Sequence, residues 1–341
     1  MAAEEALVTM GKGINHYRAP MAVSRDKPDK WKEDIARSVD MYNEWFMNFA
    51  PAAFRETRVR ATRDVEESLG LTENLFNIKP EVLKKHPSIL PTLRMSTCPP
   101  LAVDRLIGLS GVSPTLVKSM ELKQQLPPRM SAMRADIELG KIATIIIKMA
   151  DPDIFVWLSR EEKLVSEFET HRAATIIADR LCGAVANPII RNAQEKRQLA
   201  SLKQWLESKG YKQLPPGEGI SFQEMPPGSF SFRMNVSVNQ DNGDKSVNIP
   251  IDAVIKPLDS KVDQLPLFLE AKSAGDYTNT NKRRKEEAVK MSQLRSTYGR
   301  EIQFNLFLCG YFDSGYLGYE AAEGIDWVWE HRIDDLIEFG I

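Results

Sequence analysis

Asp252, Glu270 and Lys272 are the residues of this chain whose types and spacing could do chemistry. Two carboxylates and an ammonium brought to one place suit Mg2+, a hard cation that takes oxygen ligands and keeps several waters. Such a metal polarises a phosphate and acidifies a water, and a lysine beside it holds or deprotonates that water. The surrounding sequence supplies the positioning. Leu267, Phe268 and Leu269 form an apolar run behind Pro266, which reads as a short buried strand. Positions two apart on a strand face the same side, so Glu270 and Lys272 point together and Ala271 points away. Asp252 follows Ile249-Pro250-Ile251, the preceding strand or the turn out of it. The acid-x-lysine tripeptide recurs at Glu121, Glu161, Glu207 and Asp259, but none of these follows an apolar strand with an acid on the strand before it. The plain alternative at Glu270 is a strand that ends in a solvated acid–lysine pair.

The 341 residues allow two domains with ample core, and 43% hydrophobic with 27% charged residues is ordinary for a soluble globular protein. A net charge of −2 gives no global sign of nucleic acid, although the local distribution of charge decides that question. Three widely spaced cysteines, Cys98, Cys182 and Cys309, suggest a reducing compartment, with no disulfide framework and no zinc spacing. The acidic start is not a signal peptide, and no apolar run is long enough to span a bilayer.

Residues 1 to about 30 read as a polar arm, either plainly flexible or touching DNA through Lys12, His16, Arg18 and Arg25. Apolar residues from Trp31 to Phe49 recur at helical steps, and Ala50-Pro51 ends that helix. Arg55, Arg58, Arg60 and Arg63 then mark a solvated or a phosphate-facing helix face. The segment Leu101–Met120 resembles a helix-turn-helix, with the turn at Gly111, Ser113 as cap and Pro114 opening the second helix. Thr115 and Lys118 would lie near DNA in that version, and a plain helical hairpin is the other reading. An amphipathic helix follows over 132–150, and Ser159-Arg-Glu-Glu162 reads as the start of the next. The domain boundary therefore falls near 158, with a mostly helical domain at 1–158 and a second domain at 159–341. Helix continues to Lys209 with a break at Asn187-Pro188, and Gly210 stops it. Strict alternation over Phe230–Val238, a turn at Asn239–Gly243 and a return strand over Val247–Ile255 make a hairpin. Beyond Lys272, Asn281–Arg300 holds seven Lys and Arg against two Glu. Lys282, Arg283, Arg284 and Lys285 at its start form a solvated or a phosphate-facing cluster. A buried strand, Phe304–Cys309, and a helix over Gly324–Leu336 close the chain.

The Pro250-Ile-Asp252 and Glu270-Ala-Lys272 pair resembles the P-D…(D/E)-x-K pattern of a large nuclease superfamily. Further segments are similar to the XamI-like type II restriction endonucleases: Arg105–Gly108, Asp153–Leu158, Asn187–Leu199 leading to Gly210-Tyr211, and Gly324–Arg332. The resemblance implies an α+β or α/β fold, in which a helical N-terminal domain precedes a restriction-endonuclease-like core with a small mixed sheet flanked by helices. It implies Mg2+-dependent hydrolysis of double-stranded DNA at a short specific sequence, by a homodimer in a prokaryotic cytoplasm. Asp252 and Glu270 would hold the metal, and Lys272 would orient and help deprotonate the water. Members of the superfamily often add an acid from the helix before the sheet, and Glu195 is the candidate; Gln293 lies where they often place a polar residue.

Two rivals share these features. One is a nuclease-fold repair or nicking enzyme without strict specificity. The other is a non-catalytic DNA-binding regulator built on Leu101–Met120. The four histidines sit in no nucleophile-like context, so a Ser/His/Asp hydrolase is unsupported.

Overall fold

A computed structural model of the chain describes residues 22–215, 221–239, 246–261, 264–278 and 280–341, with the side chains of 184–187 and 280–284 left aside. Lys12, His16 and Arg18 of the arm, the tip of the hairpin, and the side chains of Lys282, Arg283 and Arg284 lie outside the described residues.

The residues form two compact units: Phe46–Asn192, and the described part of Met1–Trp45 together with Ala193–Ile341. This differs from a single boundary near 158. Phe155 and Trp157, with Ala173, Ala174 and Ile177 after them, are buried in the core of the helical unit, so a cut at 158 would split that core. The unit boundaries fall inside the two long helices, α1 (Pro28–Leu71) and α7 (Glu167–Ser208).

The helical unit holds the later part of α1, then α2 (Pro80–Lys85), α3 (Leu90–Met95), α4 (Val103–Ser110), α5 (Pro114–Lys123), α6 (Ala132–Met149) and the first part of α7. Pro51 does not end α1 but lies inside it. Tyr42 and Ala50 before the proline and Val65 and Leu69 after it are buried, and that burial outweighs one missing hydrogen bond. The α4–α5 pair turns at Gly111, whose φ of 60° suits glycine. It buries Leu106, Val112, Val117 and Met120 and leaves Thr115 and Lys118 exposed. Ser113 holds the N-cap position without a side-chain cap bond, and its N–H donates to Glu138 at 2.9 Å. The next helix does not start at Ser159, which ends a 3-10 turn over Val156–Ser159. Its start is set by Ser166 and Glu169, whose side chains each accept the other's backbone N–H.

Among its described residues the other unit builds one mixed sheet of six strands in sequence order: β1 (Lys212–Gln213), β2 (Ser229–Asn239), β3 (Ser246–Lys256), β4 (Leu267–Ala274), β5 (Gln303–Gly310) and β6 (Asp326–Trp329). β2, β3 and β4 pair antiparallel, whereas β4, β5 and β6 pair parallel. The parallel pairs require crossovers, supplied by α8 (Thr280–Tyr298) and α9 (Ser314–Ala322). The segment Gly324–Leu336 is thus not one helix. Asp326–Trp329 is a fully buried strand, and a 3-10 helix, Glu330–Phe339, follows it.

Both faces of the sheet are packed. Phe268, Phe304, Leu306, Leu308, Trp327 and Trp329 meet Met291 and Leu294 of α8 and Tyr316 and Leu317 of α9. Leu267, Leu269, Phe307 and Val328 meet Leu202, Trp205 and Leu206 of α7 with Leu336 and Phe339. The hairpin β2–β3 changes faces midway. Phe230 packs on the α7 side, but Val236 and Val238 pack on the α8 side, which strict alternation forbids. The change falls at Arg233, a non-glycine residue at φ 54°, and at Asp252, which lie between the pairs Phe232–Ala253 and Met234–Ile251 and are not themselves paired. The first described residues close the unit: the Asp326 carboxylate accepts the backbone N–H of Val23, Ser24 and Arg25.

Candidate active site

Glu270 has the parity of Phe268, so Glu270 and Lys272 face α8, while Ala271 packs on the α7 side. Behind β4, the Gln198 amide of α7 donates to the Lys272 carbonyl at 3.3 Å and to the Phe307 carbonyl at 3.4 Å. This fixes the strand that carries both side chains.

Asp252 arrives by a different route. The β3–β4 ladder pairs Ile255 with Leu267 and Ala253 with Leu269, the last pair among the described residues. One residue beyond, the Asp252 carboxylate accepts the Ala271 N–H at 2.9 Å. A side chain thus takes the place of a backbone carbonyl where the strands part. Burial, then the Glu270 charge, pushes the Asp252 carboxyl up to about 6.

Helix α8 supplies two further groups, neither of which the sequence reading placed in the site. Lys272 Nζ lies 3.2 Å from Glu270 Oε1 and 3.0 Å from Glu287 Oε1, and the Glu287 side chain is 0% exposed. Lys290 Nζ lies 2.6 Å from Glu270 Oε1 and 3.0 Å from the Pro250 carbonyl. Glu287 and Lys290 are three residues apart, so one face of α8 holds both ends of the Glu270–Lys272 pair. The phase of α8 against Met291 and Leu294 is the signal that finds them: 287, 290, 291 and 294 are one helical stripe, and two of its four members are charged. Burial opposes charge on Lys272, but Glu270 and Glu287 outweigh it and push the ammonium up to about 12. Glu320 of α9 is also fully buried; burial, then the Glu287 charge, pushes its carboxyl up to about 8.

Two carboxylates fit a hard divalent ion that leaves its other positions to water and phosphate. Glu270 Oε2 is buried and lacks a hydrogen-bond partner among the described residues, an oxygen disposed to take a metal. Among the described residues no group of three or more His, Cys, Asp or Glu could hold an ion.

The remaining candidates lie apart. Glu195 of α7 is ion-paired with Arg233 at 2.5 Å, and no described contact joins it to Asp252, Glu270 or Lys272. Gln293 is half-buried, and its backbone carbonyl accepts the Ser296 and Thr297 hydroxyls. Lys285 is exposed, as are Arg55, Arg58, Arg60 and Arg63. Arg25 is engaged within the protein: its backbone N–H meets Asp326 and its guanidinium reaches the Gly324 carbonyl. Glu121 of the recurring tripeptide serves structure, as a two-point ion pair with Arg94.

The chain is similar to a curated relative, the type II restriction enzyme SalI of Streptomyces albus G, at 52% identity over 314 residues, 92% of this chain and 98% of that protein. Among solved structures, protein VC1899 from Vibrio cholerae aligns over 80% of this chain and 54% of its own, at 12% identity and a TM-score of 0.28, too low to speak to the fold. The model of the XamI restriction endonuclease family matches residues 73–329, which takes in the helical unit's later helices and the strands that carry Asp252, Glu270 and Lys272. By that match and the SalI identity the chain belongs to the XamI restriction endonuclease family, and it is a site-specific deoxyribonuclease.

Proposed function

We propose that Asp252, Glu270 and Lys272 are the hydrolytic centre of this endonuclease, in the arrangement of the PD-(D/E)XK superfamily, and that the metal is Mg2+. The observation that carries this reading is the convergence itself. Lys272 Nζ is 3.2 Å from Glu270, and Asp252 is tied to the residue between them at 2.9 Å. Held by Asp252 and Glu270, Mg2+ would supply polarisation of the scissile phosphate and a more acidic water. Lys272, pushed up to about 12, stays charged at neutral pH. Its part is to hold the attacking water or a phosphate oxygen and to stabilise the negative charge that grows there, not to accept the proton. Hydrolysis joins the water oxygen to phosphorus and breaks one phosphate ester bond, which leaves a hydroxyl and a monoester.

The substrate is double-stranded DNA, and we assign its cutting to a homodimer. Two sites related by the two-fold axis of a palindrome are the simplest way to cut both strands. Lys282, Arg283, Arg284 and Lys285 would meet phosphates at the start of α8. Thr115 and Lys118, on the exposed face of α5, are the candidates for groove contact, with Gln293 in support; Glu195 is kept as a metal-site acid only if Arg233 releases it.

Plasmid DNA incubated with Mg2+ and wild-type protein should give discrete fragments whose sequenced ends reveal the site. Glu270→Ala and Lys272→Ala should cut at least about a hundredfold more slowly. Wild-type rates from both variants would sink this assignment, and nicking without fragments would favour the repair-like rival.

A further inference from the structure

Each buried charge in the site has its own partner. Lys272 is taken up by Glu287, whose side chain is fully buried 3.0 Å away. Asp252 is held by a backbone N–H. Glu270 is left to Lys290, which comes closer to it, at 2.6 Å, than Lys272 does at 3.2 Å. The same ammonium also bonds the Pro250 carbonyl at 3.0 Å. A carboxylate oxygen and a backbone carbonyl, both oxygen donors, thus converge on one positive charge that sits on a flexible stem. That donor set is also what a hard divalent ion takes.

We propose that Lys290 is a positioning residue of the cleavage site, a tethered cation that holds Glu270 in the metal-free protein and is displaced when the divalent ion binds. The proposal rests on Glu270 being a metal ligand, as assigned above. Its basis is geometric. An ammonium within hydrogen-bond distance of Glu270 Oε1 opposes a second cation at that carboxylate, and the two compete for one counter-charge. Competition of this kind is reciprocal: whatever Lys290 costs the metal, the metal costs the Lys290 contact. Release places the ammonium on the α8 face beside the two ligands, where an incoming phosphate carries the next negative charge.

The test is direct binding of Mn2+ to the DNA-free protein, followed by the loss of its free-ion spin-resonance signal. Lys290→Gln should bind Mn2+ on the order of tenfold more tightly than wild type. Lys290→Arg, which keeps the charge, should bind as wild type does. Equal or weaker binding by Lys290→Gln would overturn the proposal and make Lys290 a plain prop for Glu270. A second measurement uses the wild-type protein alone. With an amine-reactive label and peptide mass analysis, Mg2+ should raise the labelling of Lys290 several-fold, and unchanged labelling would equally overturn it. Glu270→Gln separates this result from the assignment beneath it: Mn2+ binding at wild-type affinity by that variant would mean that Glu270 is not a ligand at all.

Discussion

Behind Lys272 stand two buried glutamates, Glu287, which lies 3.0 Å from its ammonium, and Glu320, whose carboxyl feels the Glu287 charge. The Glu320 carboxyl, pushed up to about 8, keeps its proton in the folded protein over a range where the unfolded chain has lost it. A raised folded value means stability that is full below the unfolded value and drains as pH rises to the folded one. The wild type should therefore lose stability between about pH 4.5 and 8, at up to ~1.4 kcal/mol per pH unit from this group. Glu320→Gln mimics the protonated form, so thermal melts should show the variant gaining on wild type across that window and holding its lead above it. A constant difference at all pH values would refute this. At this scale Glu270 and Lys272 were legible as a pair, because alternation along an apolar strand fixes which side chains point together, and Asp252 was legible only as an acid on the strand before. It hid Glu287 and Lys290, because both sit in a run of charged residues that composition assigns to solvent. Only the phase of α8 against β4 turns them inward. For Glu195 the helix was legible, but its ion pair with Arg233 was not.

At the scale of elements, local signals competed and the better-satisfied one won. Ser159-Arg-Glu-Glu162 and Ser166-Glu-Phe-Glu169 have the same capping pattern, yet only the second makes both bonds. Ser166→Ala should cost about 1 kcal/mol in thermal or urea unfolding, and Ser159→Ala far less. The hairpin β2–β3 was readable from its alternation, but its change of face at Arg233 was not, since no glycine marks the left-handed backbone there. Gly324–Trp329 read as helix because two tryptophans and an isoleucine fit either period. The strand won because all four residues from Asp326 to Trp329 are buried beside β5, which a helix cannot achieve.

On the scale of the molecule, the near-neutral charge of −2 leaves DNA affinity to local clusters of Lys and Arg. Sedimentation without DNA should give twice the 38.6 kDa of one chain; a monomer that stays single on a cognate duplex would remove the dimer from the scheme. The division into units was the least legible feature, because one of them draws on sequence far apart. Asp326 gathers the amides of Val23, Ser24 and Arg25, and Trp31 packs on Trp327. During synthesis the early segment must wait for a strand made some three hundred residues later, roughly 15–60 s at 5–20 residues per second. Phe46–Asn192, complete well before, has no such wait. A nascent chain therefore completes the helical unit early and finishes last the unit that carries Asp252, Glu270 and Lys272.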